Sequence, residues 1–434
     1  MRARSIAFTL LCFLFLACGP TETTDSLSCG QGWRDVVWSS DGDDEVLGLA
    51  SLRQGQLAAV GYQGGVAGDR PDPTGDAQAW LRIYRPNGQL LGQQRFDTPG
   101  ADVLDAVSQP ADSEDLVVAG RTTAAFPGTS NQGVYDGFVS TLDGASWTPR
   151  NLIQFGSERP QHPRRVVASG AGIVVAGYDD VHIPSNYVQS WEDPFLALFQ
   201  SAQGDPSAPL RLEWFRPWLS DPPDQILGLA WDPARDAVFI AGSRMAGPDR
   251  GAFIERRDLQ GTIRWSRRIS DVPVDAAAAV LLAPDGDVLV SGSSFRMIGA
   301  RSYGGQDAFV MKLRADSGQT VWAGQAGSPG ADWVGDMAVD ARGHVYLAGE
   351  TLGVLAEGGV YAGESDVFVV EFDGSGTWLA AWQDGSPGDD RAHAVAVDGC
   401  GQVLVAGYSR GPLRGRTSAG GRDGFILRAD LKPR

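Results

Sequence analysis

The chain has 434 residues, 43% of them hydrophobic and 21% charged, so it can bury a large core and is not a disordered segment. Its formal net charge of −17 argues against a phosphate-binding surface of clustered Lys and Arg, and with it against nucleic acid as a partner. The acidity suits solubility, or attraction of cations and basic partners.

The first element is a targeting segment. Arg2 and Arg4 precede the apolar run "SIAFTLLCFLFLA", which is too short and too poorly flanked to be a membrane span. The run ends in "FLAC", with Cys18 followed by Gly19. This resembles a bacterial lipobox, although Phe15 stands where Leu is commonest. The resemblance implies a lipoprotein-type signal peptide over residues 1–17. It makes Cys18 the acylated first residue, so that the lipid alone holds a soluble domain at the membrane. An ordinary signal peptide cut near the same point is the alternative. Residues 18–32, "CGPTETTDSLSCGQG", are polar and aperiodic and form a tether.

From residue 33 to 434 the sequence repeats. An apolar run ending in Gly recurs at Gly61, Gly120, Gly177, Gly242, Gly292, Gly349 and Gly407. Each unit has four apolar segments, a to d. Segment a follows an acidic turn ("VLGLA", "VLDAV", "ILGLA") and segment b ends in the recurring Gly. Segment c follows a longer loop ("DGFVSTL", "DAFVMKL", "DVFVVEF"), and segment d often carries Trp ("SWTPRNLI", "LEWFRPW", "TIRWSRRI"). In "FVMKL", Phe309, Met311 and Leu313 share one side, which is the period of a strand. The a-to-b and c-to-d links are hairpin turns such as the "NG" at Asn87 and the "DG" at Asp143. Seven units of four antiparallel strands predict an all-β, seven-bladed β-propeller. Segment a, rich in Gly and Ala, suits the crowded central axis.

The two ends predict how the ring closes. The repeat region opens with a d-type segment at Trp33 to Ser39 and ends with a c-type segment at Leu431. The spare d strand therefore completes the last blade, residues 392 to 431, and pairs both open edges. Cys400 falls in the a-to-b turn of that blade, and Cys29 lies just before the donated strand. A disulfide between them staples the closure in an oxidising compartment; two unrelated thiols are the alternative.

"GSPGADWVGDMAVDARGHVYLAGET" and "GSPGDDRAHAVAVDGCGQVLVAGYS" resemble the bacterial SBBP (seven-bladed β-propeller) repeat. The resemblance is strong over residues 327–431, fair over 275–313 and weak over 30–260. It implies an exported bacterial propeller, lipid-anchored or secreted, and supplies no catalytic residues to carry over.

Asp recurs before segment a, at Asp44, Asp102, Asp224, Asp275, Asp332 and Asp390, while the third unit has "RPQHP" there. A second set, Asp136, Asp193, Asp307, Asp366 and Asp423, precedes the Phe of segment c. Meander topology puts both sets on one face, around the channel mouth. There they are candidates for binding a cation or basic ligand, or else they fix the turns. The long b-to-c loops share this face, where binding functions usually sit. In "HIPSNYVQSW", Tyr187 and Trp191 are candidates for stacking on sugar or peptide, or else they pack the loop onto its own blade.

No residue is assigned a catalytic role and no metal or cofactor is expected. The four His lack metal-ligand spacing, and G-x-S-x-G, H-E-x-x-H and P-loop patterns are absent. The expectation is a monomeric binding or scaffolding module of the bacterial cell envelope. It would be lipid-anchored at the outer membrane, periplasmic or surface-exposed, with an envelope protein or glycan as partner. The alternative is an envelope hydrolase or lyase on polysaccharide or peptide, using carboxylates of the loop face as acid and base.

Overall fold

Short alternating runs bounded by Gly and Asp fold as antiparallel strands, four to a sheet. The computed structural model describes residues 32–65, 76–169, 172–181, 191–201, 208–217, 224–245, 247–355, 359–416, 418 and 421–434. After β1 (Val36–Trp38), blade 1 is built from β2 (Asp43–Ser51), β3 (Leu57–Gly65), β4 (Gln78–Tyr84) and β5 (Leu90–Phe96). Blade 2 has β6 (Asp102–Ser108), β7 (Leu116–Thr122), β8 (Asp136–Leu142) and β9 (Pro149–Phe155). Blade 3 has β10 (Gln161–Ser169), β11 (Gly172–Val181), β12 (Trp191–Ser201) and β13 (Leu210–Pro217). Blade 4 has β14 (Gln225–Asp232), β15 (Ala237–Arg244), β16 (Gly251–Asp258) and β17 (Ile263–Arg268). Blade 5 has β18 (Ala276–Leu282), β19 (Val288–Ser294), β20 (Asp307–Leu313) and β21 (Thr320–Ala326). Blade 6 has β22 (Asp332–Val339), β23 (Val345–Thr351), β24 (Asp366–Phe372) and β25 (Trp378–Asp384). Blade 7 has β26 (Asp390–Val397), β27 (Val403–Ser409) and β28 (Asp423–Arg428), and β29 (Lys432–Pro433) ends the chain. The result is a seven-bladed β-propeller with an a-type strand innermost in every blade.

The ring closes with the N-terminal strand. β1 pairs antiparallel with β28, Val37 opposite Phe425, and supplies the fourth strand of blade 7. The strand is shorter than the predicted Trp33 to Ser39, but Trp33 is buried against Tyr84 of blade 1 at 5.8 Å, edge to face. Trp33 N–H also donates to Gln402 Oε1 (2.8 Å), which brings the chain to the a-to-b turn holding Cys400. Cys400 is disulfide-bonded; Cys29, like Cys18, lies outside the described residues. One closure was not anticipated: β29 adds a fifth strand to blade 6, Lys432 opposite Ala381.

The recurring Gly has a steric cause. Each innermost strand carries a β-bulge, where the register steps over one residue: Leu47, Asp105, Arg164, Leu227, Ala278, Gly335 or His393. The bulge presses a backbone carbonyl of strand a against the Gly of strand b. A Cβ would sit only 1.7 Å from Gln225 O at Gly242, 1.8 Å from Trp333 O at Gly349 and 2.2 Å from Val103 O at Gly120. No side chain fits there, so all seven positions are Gly.

The Trp residues of the outer strands staple neighbouring blades, burying large rings as bulky inter-blade fillers. Trp214 Nε1–H donates to Leu259 O (3.1 Å) and Trp265 Nε1–H to Ala315 O (3.0 Å), each reaching the c-to-d hairpin of the next blade. Trp147 differs from expectation. It lies in the c-to-d turn of blade 2, not in the strand, and adopts φ +56° in place of the Gly expected to make that turn. Its ring covers Gly92 of blade 1, where a Cβ would come within 2.4 Å.

Candidate functional site

The predicted carboxylates come first. Asp44, Asp102, Asp275, Asp332 and Asp390 are buried at the start of their blades. Asp44 accepts from Ser40 N–H (2.5 Å) and Gly64 N–H (3.1 Å). Asp332 accepts from Ser328 N–H (2.7 Å) and Thr351 Oγ1–H (2.5 Å), and Asp275 from Ser294 Oγ–H (2.6 Å) and Phe295 N–H (2.9 Å). Each carboxylate thus ties the turn before strand a to the end of strand b. Asp224 is less enclosed and lies 3.8 Å from Arg244. Burial pushes Asp102, Asp332 and Asp390 up to about 6, against the pull of their hydrogen bonds.

The second Asp set works alongside the first. Asp307 accepts from Tyr303 N–H (2.8 Å) and Gln325 Nε2–H (2.8 Å), and Asp366 from Gln383 Nε2–H (2.8 Å). Gly327 fits between Asp307 and Asp332, since a Cβ there would lie 2.2 Å from Asp307 Oδ1. In blade 3, Gln161 takes the place of the missing Asp: its Oε1 accepts from Ser157 N–H (2.9 Å). His162 beside it stacks on Tyr178 at 4.7 Å. Tyr187 lies outside the described residues. Trp191 does not belong to a loop: the β11–β12 hairpin extends to the pair Val181–Trp191.

What the structure gathers at the axis is a different set. All seven bulged residues line the channel below the loop face. Three are polar: Asp105, Arg164 and His393. Asp105 is buried and ion-paired with Arg121; burial pushes its carboxyl up while Arg121 and Arg164 oppose that. Arg164 lies over the Tyr178 ring, 5.1 Å from its centroid. His393 Nε2 lies 3.2 Å from Glu45 Oε2. Glu45 also accepts from Tyr62 Oη–H (2.8 Å) and pairs with Arg422. Burial opposes its charge, but His393 and Arg422 outweigh burial and hold Glu45 at about 2. The network continues through Arg422, stacked 4.4 Å over Tyr408, whose hydroxyl donates to Asp389 (2.9 Å). Arg391 then joins Asp389 (3.3 Å) to Glu350 (3.0 Å). Blades 1, 7 and 6 are thereby tied together by charge at the mouth.

Sequence reasoning missed this ring, although a signal existed. The bulged residue stands 13 to 15 positions before the recurring Gly in every unit, and that column contains Asp105, Arg164 and His393.

The loop face itself is apolar in part. Val274, Phe295, Met297, Leu352, Val354 and Val360 are exposed large apolar side chains, all on loops of this face around blades 5 and 6. Val134 and Met245 stand on the same face at blades 2 and 4. Among the described residues, the others, Leu90, Leu212, Ile263 and Val321, are on outermost strands, and none is on the face of the short turns.

Two solved structures are similar to this chain at low identity. The β-propeller domain of Myceliophteria_thermophila Cps50 (Swd1) is 12% identical, with a TM-score of 0.48 over 90% of this chain and 98% of that one. Sqt1 from Chaetomium thermophilum is 13% identical, with a TM-score of 0.45 over 85% of this chain and 81% of that one. No family model matches the chain, and no curated protein does. The class defined by sheets and axis is that of β-propeller repeat proteins, a scaffold compatible with a binding or scaffolding role.

Proposed function

We propose that this protein is an exported, lipid-anchored propeller of the SBBP-repeat type that binds a protein of the bacterial cell envelope through its b-to-c loop face. The observation that carries the proposal is the one-sided exposure of Val274, Phe295, Met297, Val354 and Val360. Apolar side chains clustered on one face of a rigid scaffold, with charged residues at its centre, favour a protein partner over a glycan. Export is supported by the lipobox-like "FLAC" at Cys18 and by the disulfide at Cys400, a bond kept in oxidising compartments.

The test is quantitative capture of the partner by cross-linking in intact envelopes, comparing the natural chain with Phe295→Asp/Met297→Asp. The double variant should fold normally and lose the cross-linked partner. Full capture by the double variant would overturn the assignment of the face. Cys18→Ser should in turn move the protein from the membrane fraction to the soluble one. If it stays in the membrane fraction, the lipid anchor is ruled out.

A further inference from the structure

The channel holds a cationic cavity that the loop-face reading does not use. Blade 3 alone places two consecutive Arg on its innermost strand, Arg164 and Arg165. The Arg165 guanidinium crosses the axis: Nη2–H donates to Gly335 O of blade 6 (3.3 Å) and Nη1–H to Arg164 O (3.2 Å). It thereby divides the channel. On the loop side lies a cavity of about 210 Å³, and toward the short turns one of about 340 Å³.

Arg165 is poorly compensated where it sits. Its hydrogen bonds are two long ones to carbonyls, and no described carboxylate stands at ion-pair distance from it. Burial pushes its pKa down, while the charges of Asp336 and Asp105 pull it up without touching it; Asp336 accepts from Val395 N–H (3.1 Å). Asp105, the carboxylate on the loop-side cavity, is already paired with Arg121. Arg165 is half-buried, and a cation held by carbonyls alone gains from an anion placed beside it.

The loop-side cavity therefore has two unlike walls. Arg164, Arg165 and His393 supply positive charge or N–H donors, while Leu227, Ala278 and Val334 form an apolar wall. We propose that this cavity binds a small aliphatic carboxylate. Its carboxylate would face Arg165 and Arg164 and its short hydrocarbon chain would lie against Leu227 and Ala278. Guanidinium matches carboxylate with paired N–H donors, and the apolar wall has no use for a bare inorganic anion.

The experiment is calorimetric titration of the mature protein with butyrate, with inorganic phosphate and with butylammonium at matched ionic strength. Saturable one-to-one binding of butyrate, absent for the other two probes, is expected. Arg165→Gln should weaken butyrate by about tenfold or more, while the exposed Arg342→Gln leaves it unchanged. Ala278→Leu fills the apolar wall without touching a charge; it should weaken butyrate as well, and it covers the case in which Arg165→Gln fails to fold. No saturable butyrate binding, equal binding of phosphate, preference for butylammonium, or butyrate binding undiminished in Arg165→Gln or Ala278→Leu would each overturn the assignment.

Discussion

In each blade one carbonyl oxygen of the innermost strand decides that its neighbour on the second strand is Gly. At Gly349 the Trp333 carbonyl occupies the space a Cβ would need, so Gly349→Ala must push apart the two inner strands of blade 6. The expected loss is about 3 kcal/mol in urea unfolding, typical of severe overpacking. Gly343→Asn, at a turn position with φ +83° and open space around it, should cost about 1 kcal/mol or less. Buried carboxylates give a second residue-scale prediction. Asp102, Asp332 and Asp390 titrate near 6 in the folded chain, above the value of 3.8 for an unperturbed Asp. The folded state therefore binds protons more tightly, and the associated stability is full below 3.8 and is lost as pH rises through about 6. Each contributes about 1 kcal/mol of extra stability at pH 5 relative to neutral pH. Asp332→Asn should remove its share of that rise. Glu45 acts with the opposite sign: its stabilisation holds above 4.5 and is lost as pH falls through about 2. Unfolding free energies measured at several pH values check both signs.

At the scale of elements, β1 and β29 look alike in length but differ in weight. β1 fills an otherwise open edge of blade 7 and brings Trp33 into a buried site between blades 7 and 1. Removing the chain through Ser40 should cost at least about 3 kcal/mol, the scale of losing one buried Trp. β29 is exposed and pairs through only two residues, with Arg434 lying over Trp378 at 3.9 Å. Removing residues 432–434 should cost about 1 kcal/mol or less. Closure by β1 was legible because counting strand types left one d segment at the front and one vacancy at the back. β29 was not legible, because "LKPR" has no alternation and its pairing depends on where the ring brings it. The turn at Asp143 misled for a related reason. "DG" signals a tight hairpin, but inter-blade packing of Trp147 on Gly92 moves the left-handed residue from Gly144 to Trp147, three positions on.

At the scale of the molecule, repetition builds the scaffold and departures from it build the sites. The Asp positions were visible because they recur, and they recur because every blade needs the same turn. The channel ring was hidden because its column varies, from Ala278 and Gly335 to Arg164 and His393, and because a bulge, unlike a strand, has no period to detect. The apolar loop face was equally unmarked, since exposure depends on how each loop lies over its blade.

Site-specific photocross-linking in intact envelopes reads directly which face of the propeller holds the partner. One probe replaces Val354 on the loop face, and another replaces Ser375 in a short turn of the opposite face. A single protein adduct from position 354, with none from 375, is the expected result. Adducts from both faces alike, or from 375 alone, would contradict a binding module that works through its loop face.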